Sequence, residues 1–277
     1  NLWFSLSLPR YTMKPASIYP LWWNPWGDRG LDFDKKVSIS IDNLDHDESA
    51  DYKILFLAEP LAILPTVSEG AIRSAYKFDK IYTFCQSFID RYPQAELFEW
   101  GSSWLDFKDL KINKTNNVSF VTSSKNQSKG HKLRIDIYEY LKEVDVSNGL
   151  QYYSHMSPPF HERRNDFFES SKFHIAVENS QQKNYFTEKI IDCFASKTVP
   201  IYFGCPNIGD WFHMDGIITF NDLDELKKIV SRLDGDCYNK RKKAIEHNYE
   251  VAKRFHSDND VVPRLTRKII EDVNNAD

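Results

Sequence analysis

The sequence predicts an α/β fold built from two Rossmann-like domains that face a cleft. A chain of 277 residues is long enough for two domains of ordinary size. Short apolar runs typical of buried strands alternate with amphipathic segments along the chain. Residues 173–204 contain a strand, a polar loop, a helix and a second strand, which together predict a right-handed βαβ unit with parallel strands.

The first predicted domain covers residues 1–115. Its strands are expected at apolar runs, namely residues 2–8, 37–41, 53–58 and 80–84, and its helices at 68–76 and 87–92. The stretch 19–27 is too rich in Pro and Trp for a regular element. The lysine-rich polar stretch 106–117 predicts the boundary to the next domain.

The second predicted domain covers residues 116–277. Its strands are expected at residues 118–122, 173–177, 198–203 and 217–220. Its helices are expected at 132–144, at 165–171, directly after Thr187, and at 223–233, 240–255 and 262–273. Thr187 can cap the helix that follows it, in which Ile190, Ile191, Phe194 and Ala195 recur at helical spacing. In folds of this kind the last helix can cross back to the first domain.

The polar loop 178–184 lies where a predicted strand ends and a helix begins. In open α/β sheets ligands bind beyond the carboxyl ends of the strands, and helix N-termini attract anions. Lys189 falls in the first helical turn, where the macrodipole disfavours a cation. From this residue alone, a solvated surface lysine is an equally good interpretation. A phosphate ligand becomes the better one because three polar residues share the stretch: Asn179, Tyr185 and Glu188.

This segment also carries a pattern of known type and spacing. Its members are Glu178, Asn179, Ser180, Tyr185, Thr187, Glu188, Lys189, Val199, Pro200, Ile201, Tyr202 and Gly204. The pattern resembles the donor-binding signature of the α-1,3/4-fucosyltransferases, glycosyltransferase family 10. The resemblance covers roughly residues 118–220 and thins to single residues in the N-terminal half.

The resemblance implies a GT-B architecture, with the acceptor side in the first domain and the nucleotide-sugar site in the second. It implies an inverting glycosyltransferase that moves L-fucose from GDP-β-L-fucose to a hydroxyl of an acceptor oligosaccharide, commonly O3 of N-acetylglucosamine. Two alternatives remain open: the same fold using another nucleotide sugar, and a non-catalytic protein that binds a nucleotide or a sugar.

Arg134 is the second cation expected at the site. It follows the strand 118–122 and a loop, in the predicted first turn of the next helix, and so repeats the position of Lys189 after a neighbouring strand. The two cations are expected to converge on one pyrophosphate, for which the arginine fork is well suited. The resemblance aligns Arg134 with a donor-binding arginine. The alternative is a surface arginine beside Lys132.

The other donor-binding residues follow from the resemblance and from hydrogen-bonding capacity. Glu188 can accept from both ribose hydroxyls. Asn179 and Tyr185 can hydrogen-bond phosphate or sugar. Glu178 either orders the loop or contacts fucose, and Asn184 can equally serve a turn.

Glu59 is the expected general base. It follows the predicted strand 53–58, and in the resembling family a glutamate after a similar strand has this role. The next residues, Pro60, Leu61 and Ala62, depart from the family pattern, and a structural cap is the alternative role. Other candidate bases are Glu69, Glu99 and His155.

Composition and net charge restrict the other classes of partner that the sequence predicts. The net charge is −4, which does not favour nucleic acid, and no apolar run reaches membrane-spanning length. The first residue is Asn1, so any membrane contact is expected through a segment outside this chain. Unpaired cysteines favour a reducing, cytoplasmic side for a bacterial or viral protein, either in the cytoplasm or peripheral to a membrane, whereas a eukaryotic protein would lie in the Golgi lumen.

No metal or cofactor is expected. The four Asp-x-Asp triplets occur in an acidic chain, beginning at Asp32, Asp222, Asp234 and Asp258. Asp222 is interpreted as a helix cap and the others as parts of polar turns. Two side-chain cations can stabilise a leaving diphosphate in place of a metal.

Overall fold

The computed structural model describes residues 14–21, 24–27, 30–60, 62–144, 150–154, 165 and 167–276. The chain divides into two compact units, each built on a parallel sheet. The first unit contains residues 1–59, 64–83 and 87–97, and the second contains 60–63, 84–86 and 98–277. The strand predicted at residues 2–8 and the candidate base His155 lie outside the described residues.

The first unit holds a five-stranded parallel sheet of order β2-β4-β5-β6-β7 and a small antiparallel pair, β1 with β3. The strands are β1 (Lys14–Pro15), β2 (Ser17–Pro20), β3 (Asp32–Phe33), β4 (Val37–Ile41), β5 (Tyr52–Leu57), β6 (Lys80–Thr83) and β7 (Ala95–Leu97). The helices are α1 (Pro65–Ser74) and α2 (Gln86–Arg91). The three apolar runs at 37–41, 53–58 and 80–84 are therefore confirmed as strands.

The second unit holds another five-stranded parallel sheet, of order β9-β8-β10-β11-β12. The strands are β8 (Asn116–Thr122), β9 (Leu150–Ser154), β10 (Ser171–Val177), β11 (Val199–Phe203) and β12 (Ile218–Thr219). From β8 the chain goes to the edge strand β9 and returns to the opposite side of β8 as β10. The strand order therefore reverses between β8 and β10, which is the point where doubly wound sheets bind ligands.

Helices cover the second sheet. They are α3 (Lys129–Glu143), α4 (Glu188–Ala195), α5 (Leu223–Val230), α6 (Gly235–Asn239), α7 (Lys242–Ala252) and α8 (Val261–Asn275). One apolar cluster joins the sheet to α3 and α5, and another joins it to α4 and α7. The βαβ unit predicted from residues 173–204 is confirmed by β10, α4 and β11, with β10 and β11 parallel.

The border between the two units differs from the predicted division after residue 115. Residues 98–115 pack with the second unit. Leu105 is buried in the cluster beneath α4, and Oδ1 of Asp192 accepts hydrogen bonds from Ser103 Oγ (2.7 Å) and Trp104 N (2.9 Å). The apolar residues ahead of the lysine-rich stretch fix this segment to the unit, which its polar composition does not reveal.

Two further observations bear on the sequence expectations. All four cysteines are free thiols, and three of them are buried. No helix in the described part of the chain combines the length and apolarity needed to cross a membrane.

Candidate active site

Two helix N-termini meet the carboxyl edge of the second sheet beside the reversal of strand order. Ser128 caps α3, where its side chain accepts from the backbone N–H of His131, and Thr187 caps α4, where its side chain accepts from the backbone N–H of Lys189. Glu178 follows β10 directly. The predicted cap at Thr187 and the placement of Lys189 in the first turn of α4 are confirmed.

Gly130 allows α3 to approach the loop after β10. Its backbone N–H donates to the carbonyl oxygen of Asn179 (3.2 Å). A Cβ atom at this position would lie 1.8 Å from the carbonyl oxygen of Glu178 and 2.9 Å from the backbone of Asn179. Only glycine leaves room for this contact, which holds the helix against the loop.

Arg134 joins α3 to the same loop. Its Nε donates to the carbonyl oxygen of Val177 (3.0 Å) and its Nη2 to Oδ1 of Asn179 (2.5 Å). Because α3 begins at Lys129, Arg134 lies in the second turn rather than the predicted first. It is buried, 8% exposed, so the alternative of a surface arginine is wrong. Burial lowers the pKa of its guanidinium from the ordinary value, against the opposing effect of Glu178.

Glu178 orders the turn that precedes α4. Its Oε1 accepts from Thr187 N (2.8 Å) and its Oε2 from Thr187 Oγ1 (2.8 Å). The residue is fully buried, and its Oε2 lies 3.7 Å from Nζ of Lys189. Burial raises the pKa of the Glu178 carboxyl, an effect that the charge of Lys189 only partly offsets. Of its two predicted roles, loop ordering is the one that these contacts support.

Lys189 and Glu188 form an ion pair at the start of α4. Lys189 Nζ lies 2.8 Å from Glu188 Oε1 and 3.1 Å from Thr187 Oγ1. Burial lowers the pKa of Lys189, but the charges of Glu188 and Glu178 outweigh burial and leave the pKa above its ordinary value. Burial raises the pKa of Glu188, and the charge and hydrogen bond of Lys189 reverse this to give a net lowering.

The site therefore contains two cations and two carboxylates within one small volume. Arg134 is near enough to Lys189 for its charge to oppose protonation of that amine. Lys189 keeps 24% of its side chain exposed, whereas Glu178 is fully enclosed. An incoming phosphate can therefore reach Lys189, which it would share with or take from Glu188.

Tyr185 and Asn184, which precede α4 in the chain, are both buried. The ring of Tyr185 is 2% exposed and packs on Phe84 at 4.8 Å between centroids. Asn184 has a φ of 66°, in the left-handed region that Asn tolerates, and its backbone N–H donates to Asn207 Oδ1 (2.9 Å). The turn role that the sequence left open for Asn184 is thus the one seen.

A groove of about 780 Å³ runs beside the starts of α3 and α5. Its lining residues are Ala62, Gln127, Ser128, Lys129, Lys132, Leu133, Asp136, Asn221, Asp222, Leu223 and Asp224. Among the described residues the lining includes neither Arg134 nor Lys189. Its lining carries two lysines, Lys129 and Lys132, and three aspartates, Asp136, Asp222 and Asp224.

Comparison with known proteins gives the family. Residues 111–256, more than half of the chain, match the family described as "Glycosyltransferase family 10 (fucosyltransferase) C-term". The chain belongs to glycosyltransferase family 10. The resemblance carried by the residues after β10 is confirmed.

Two relatives show which part of a family 10 protein is matched. The chain is 28% identical over 113 residues to the Helicobacter pylori alpha-(1,3)-fucosyltransferase FucT, covering 41% of this chain and 23% of that protein. It is 38% identical over 68 residues to an Arabidopsis thaliana alpha-(1,4)-fucosyltransferase, covering 24% and 17%. The matched stretches thus span less than a quarter of either relative.

Solved structures establish the fold over a longer stretch. A crystal structure of an alpha1,3-fucosyltransferase with GDP-fucose superposes with a TM-score of 0.52 at 15% identity, covering 84% of this chain and 82% of that one. Anabaena Alr3699/HepE in complex with UDP-glucose gives 0.55 at 13% identity, covering 81% and 72%. The predicted GT-B fold is confirmed.

Glu59, the predicted base of this family 10 protein, lies in the first unit two residues after β5. Its backbone N–H donates to Oδ1 of Asp42 (3.2 Å), as does the N–H of Ala58 (2.8 Å). Asp42 directly follows β4, the parallel neighbour of β5, and has a φ of 47°. Asp42 is therefore the residue that caps this turn, and the role of Glu59 as base stays a prediction.

The other candidate bases have different surroundings. Glu99 Oε1 accepts from the indole N–H of Trp211 (3.2 Å), and Glu99 Oε2 lies 3.7 Å from Arg264. Glu69 lies on the exposed face of α1, within 3.9 Å of Arg73. Glu99 is thus tied by a hydrogen bond and an ion pair to other residues of the second unit.

The Asp-x-Asp triplets have structural roles wherever their side-chain contacts are seen. Asp222, Asp234 and Asp260 cap α5, α6 and α8. Asp32 lies in β3 rather than in a turn. In the described residues no group of three or more His, Cys, Asp or Glu side chains is arranged to hold a metal ion.

Three residues that the structure shows in or near these turns were not predicted from the sequence: Gly130, His131 and Asp42. Gly130 and His131 adjoin Ser128, whose capping position before an amphipathic helix was a detectable signal. Asp42 follows an apolar strand just as Glu59 does, so the same rule that selected Glu59 could have found it.

Proposed function

We propose that the protein transfers L-fucose from GDP-β-L-fucose to a hydroxyl of an acceptor glycan with inversion at the anomeric carbon. The observation that carries the proposal is the placement of Arg134 and Lys189 at the reversal of strand order, within the segment that defines family 10. The structural relative solved with GDP-fucose supports the choice of donor.

Arg134 and Lys189 hold the diphosphate of the donor. As the bond between C1 of fucose and the β-phosphate oxygen breaks, negative charge grows on the departing GDP. Fixed cations in a partly enclosed site stabilise that charge strongly because they need little reorganisation. The hydrogen bonds of Arg134 to Val177 and Asn179 supply this fixation. These two side chains take the place of a metal ion in the proposed reaction.

Glu188 accepts hydrogen bonds from the ribose hydroxyls. Its present partner is Lys189, at 2.8 Å. When the diphosphate engages Lys189, the carboxylate of Glu188 is released to the ribose, so the two contacts of the donor form together. Asn179 and Tyr185 complete the donor-binding set.

Glu59 removes the proton from the acceptor hydroxyl. The resulting oxygen nucleophile attacks C1 on the face opposite the phosphate, so the β-linked donor yields an α-linked product. O3 of N-acetylglucosamine is the proposed acceptor atom. The relatives include both an alpha-(1,3)- and an alpha-(1,4)-fucosyltransferase, so O4 is the position to test beside it.

A second candidate is the same transfer with another nucleotide sugar. It is favoured by the likeness of the fold to the Anabaena protein solved with UDP-glucose. The diphosphate contacts proposed for Arg134 and Lys189 do not by themselves distinguish the two donors.

A donor screen tests the proposal. The protein is incubated in EDTA with N-acetyllactosamine and with GDP-fucose, GDP-mannose or UDP-glucose, and products are identified by mass spectrometry and NMR. Formation of an α-linked fucoside from GDP-fucose alone is the expected result. Transfer from UDP-glucose instead would establish the second candidate, and dependence on added Mn²⁺ would refute metal independence.

A further inference from the structure

Asp42 is bonded to the backbone of the residue proposed as general base. It directly follows β4, and Glu59 lies two residues after β5, the parallel neighbour of β4. Oδ1 of Asp42 accepts the backbone N–H of Ala58 (2.8 Å) and that of Glu59 (3.2 Å), while the N–H of Asp42 donates to the carbonyl oxygen of Phe56 (2.9 Å). One carboxylate from the neighbouring strand thus fixes both residues that follow β5.

Pro60 restrains Glu59 from the other side. A proline disfavours the helical conformation of the residue before it, and its own φ is fixed by the ring. The carbonyl oxygen of Pro60 also accepts the N–H of Ile63 (2.8 Å), which closes a turn. Glu59 therefore lies between a hydrogen-bonded N–H and a proline, which leaves its backbone few alternative conformations.

A carboxylate is a costly residue for this position. Asp42 is 3% exposed, and burial raises its pKa to about 6 against the lowering effect of the two N–H groups. No charged side chain of the described residues is among the causes of this shift; the carboxyl groups on the adjoining segments are those of Glu59 and of Asp45 in the loop after β4. An asparagine could accept the same bonds and tolerates a φ of 47°, so a structural cap does not require the charge.

We propose that Asp42 is the positioning residue of the base, and that its ionised carboxylate holds the backbone of Glu59 more firmly than a neutral group could. The proposal rests on the proposed function, in which Glu59 removes the proton of the acceptor hydroxyl. Hydrogen bonds to an ionised acceptor are about twice as strong as those between neutral groups. A base must stay within hydrogen-bonding reach of the proton that it removes, so a small displacement of Glu59 slows the transfer.

Asp42→Asn distinguishes positioning from a merely structural cap, because the two roles predict opposite effects on activity. Above pH 6 the variant no longer buries a charge, so it should be more stable than the wild-type protein. Its kcat should nevertheless be lower by roughly 3- to 10-fold, because the two N–H groups bond to a weaker acceptor. A structural cap predicts that the more stable variant is at least as active.

The pH dependence of that difference identifies the group responsible. Protonated Asp42 is neutral, as asparagine is, so the ratio of wild-type kcat to variant kcat should fall toward one as the pH decreases through about 6. Titration of Glu59 acts on both proteins and cancels in the ratio. Asp45→Asn is the matched control, because it makes the same change at an exposed position three residues further along.

The measurements are kcat, the KM values of donor and acceptor, and urea unfolding between pH 5 and 8, with the donor that the donor screen identifies. Asp42→Asn should change kcat and leave the donor KM unaltered, and Asp45→Asn should give a ratio near one at every pH. A ratio for Asp42→Asn that does not vary with pH, or full activity of that variant above pH 6, would overturn the proposal.

The same substitution in a Glu59→Gln background shows whether Asp42 acts through Glu59. With no base left to position, Asp42→Asn should lower kcat no further, and an equal fall in both backgrounds would overturn the proposal. If the wild-type protein transfers no sugar from any donor, the proposed function fails. If Glu59→Gln slows transfer but the kcat ratio stays flat, the proposed function stands and the role of Asp42 fails.

NMR of the backbone amides tests the contact without reference to activity. The N–H signals of Ala58 and Glu59 should shift with a midpoint near pH 6 in the wild-type protein, because both groups donate to Asp42. The same signals should lack this transition in Asp42→Asn and retain it in Asp45→Asn. Wild-type signals that do not titrate between pH 5 and 8 would refute the ionisation on which the positioning depends.

Discussion

Nη2 of Arg134 lies 2.5 Å from Oδ1 of Asn179, so a side chain of α3 is bonded to the loop that follows the neighbouring strand. The two partners come from either side of the reversal of strand order. The cation is thereby fixed before any ligand arrives. In the proposed reaction, Arg134 stabilises the departing diphosphate through this fixed position as well as through its charge.

Arg134→Lys tests that distinction, because it keeps the charge and loses the planar fork. We expect kcat/KM to fall at least roughly 30-fold, which corresponds to about 2 kcal/mol of lost transition-state stabilisation. Some thermal stability should also be lost, because Val177 O and Asn179 Oδ1 lose their hydrogen-bond donor. Steady-state kinetics and thermal unfolding measure both effects. Lys132→Ala is the matched control, an exposed cation on the same helix. Full activity in Arg134→Lys would mean that the planar guanidinium and its hydrogen bonds are not needed for catalysis.

Gly130→Ala is expected to separate α3 from the loop after β10. The added Cβ would lie 1.8 Å from a backbone oxygen, so the helix or the loop must move. We expect a loss of stability of several kcal/mol, about 2–4, and a loss of GDP binding. Gly235→Ala is the control, because a Cβ at that first position of α6 meets nothing within 4 Å. Urea unfolding and calorimetry measure the outcome, and equal tolerance of both substitutions would contradict the close approach.

The sequence alone predicted the parts of the site that depend on local chemistry. The cap at Thr187, the helical spacing of Ile190 and Ile191 and the strands β10 and β11 all follow from residues close together in the chain. The burial of Arg134 and the need for glycine at position 130 did not follow, since both depend on the backbone of a segment more than forty residues away.

The unit border shows the same limit on a larger scale. The stretch 106–117 predicts a boundary because it is polar and lysine-rich, yet residues 98–115 pack with the second unit. Leu105 and the bonds to Asp192 fix them to the second unit, and those partners lie far along the chain. The composition of a segment indicates how readily it is solvated, but it does not show which distant residues the segment packs against.

Asp42 should make stability depend on pH. Burial raises the pKa of its carboxyl to about 6, and the hydrogen bonds from Glu59 and Ala58 only partly offset this. In the unfolded chain the pKa of an aspartate carboxyl is about 3.9, so folding favours the protonated form of Asp42. The contribution of Asp42 to stability therefore falls as pH rises from about 4 to about 6. Relative to Asp42→Asn, the wild-type protein should lose up to about 3 kcal/mol of unfolding free energy between pH 4 and 7. Urea unfolding of both proteins across that pH range measures the difference. Parallel curves of unfolding free energy against pH would show that burying the ionised carboxylate of Asp42 has no cost.

Glu59→Gln tests the base assignment. The amide keeps the shape of the side chain and removes its basicity, so transfer should fall by about 10²- to 10⁴-fold. GDP affinity should change little, because the proposed nucleotide contacts lie in the second unit. Initial rates and calorimetry on the same preparation give both quantities. Normal transfer by the variant would remove Glu59 from the mechanism, and Glu69 would be tested next.

Calorimetric titration with GDP and UDP, in EDTA, on the wild-type protein and on Lys189→Ala tests whether the carboxyl edge of β8 and β10 binds the GDP portion of the donor through two side-chain cations. We predict tighter binding of GDP than of UDP by the wild-type protein, and a loss of at least about 2 kcal/mol, roughly 30-fold, for GDP in Lys189→Ala. Equal affinities for the two nucleotides, or GDP binding that Lys189→Ala leaves unchanged, would contradict this mode of donor binding.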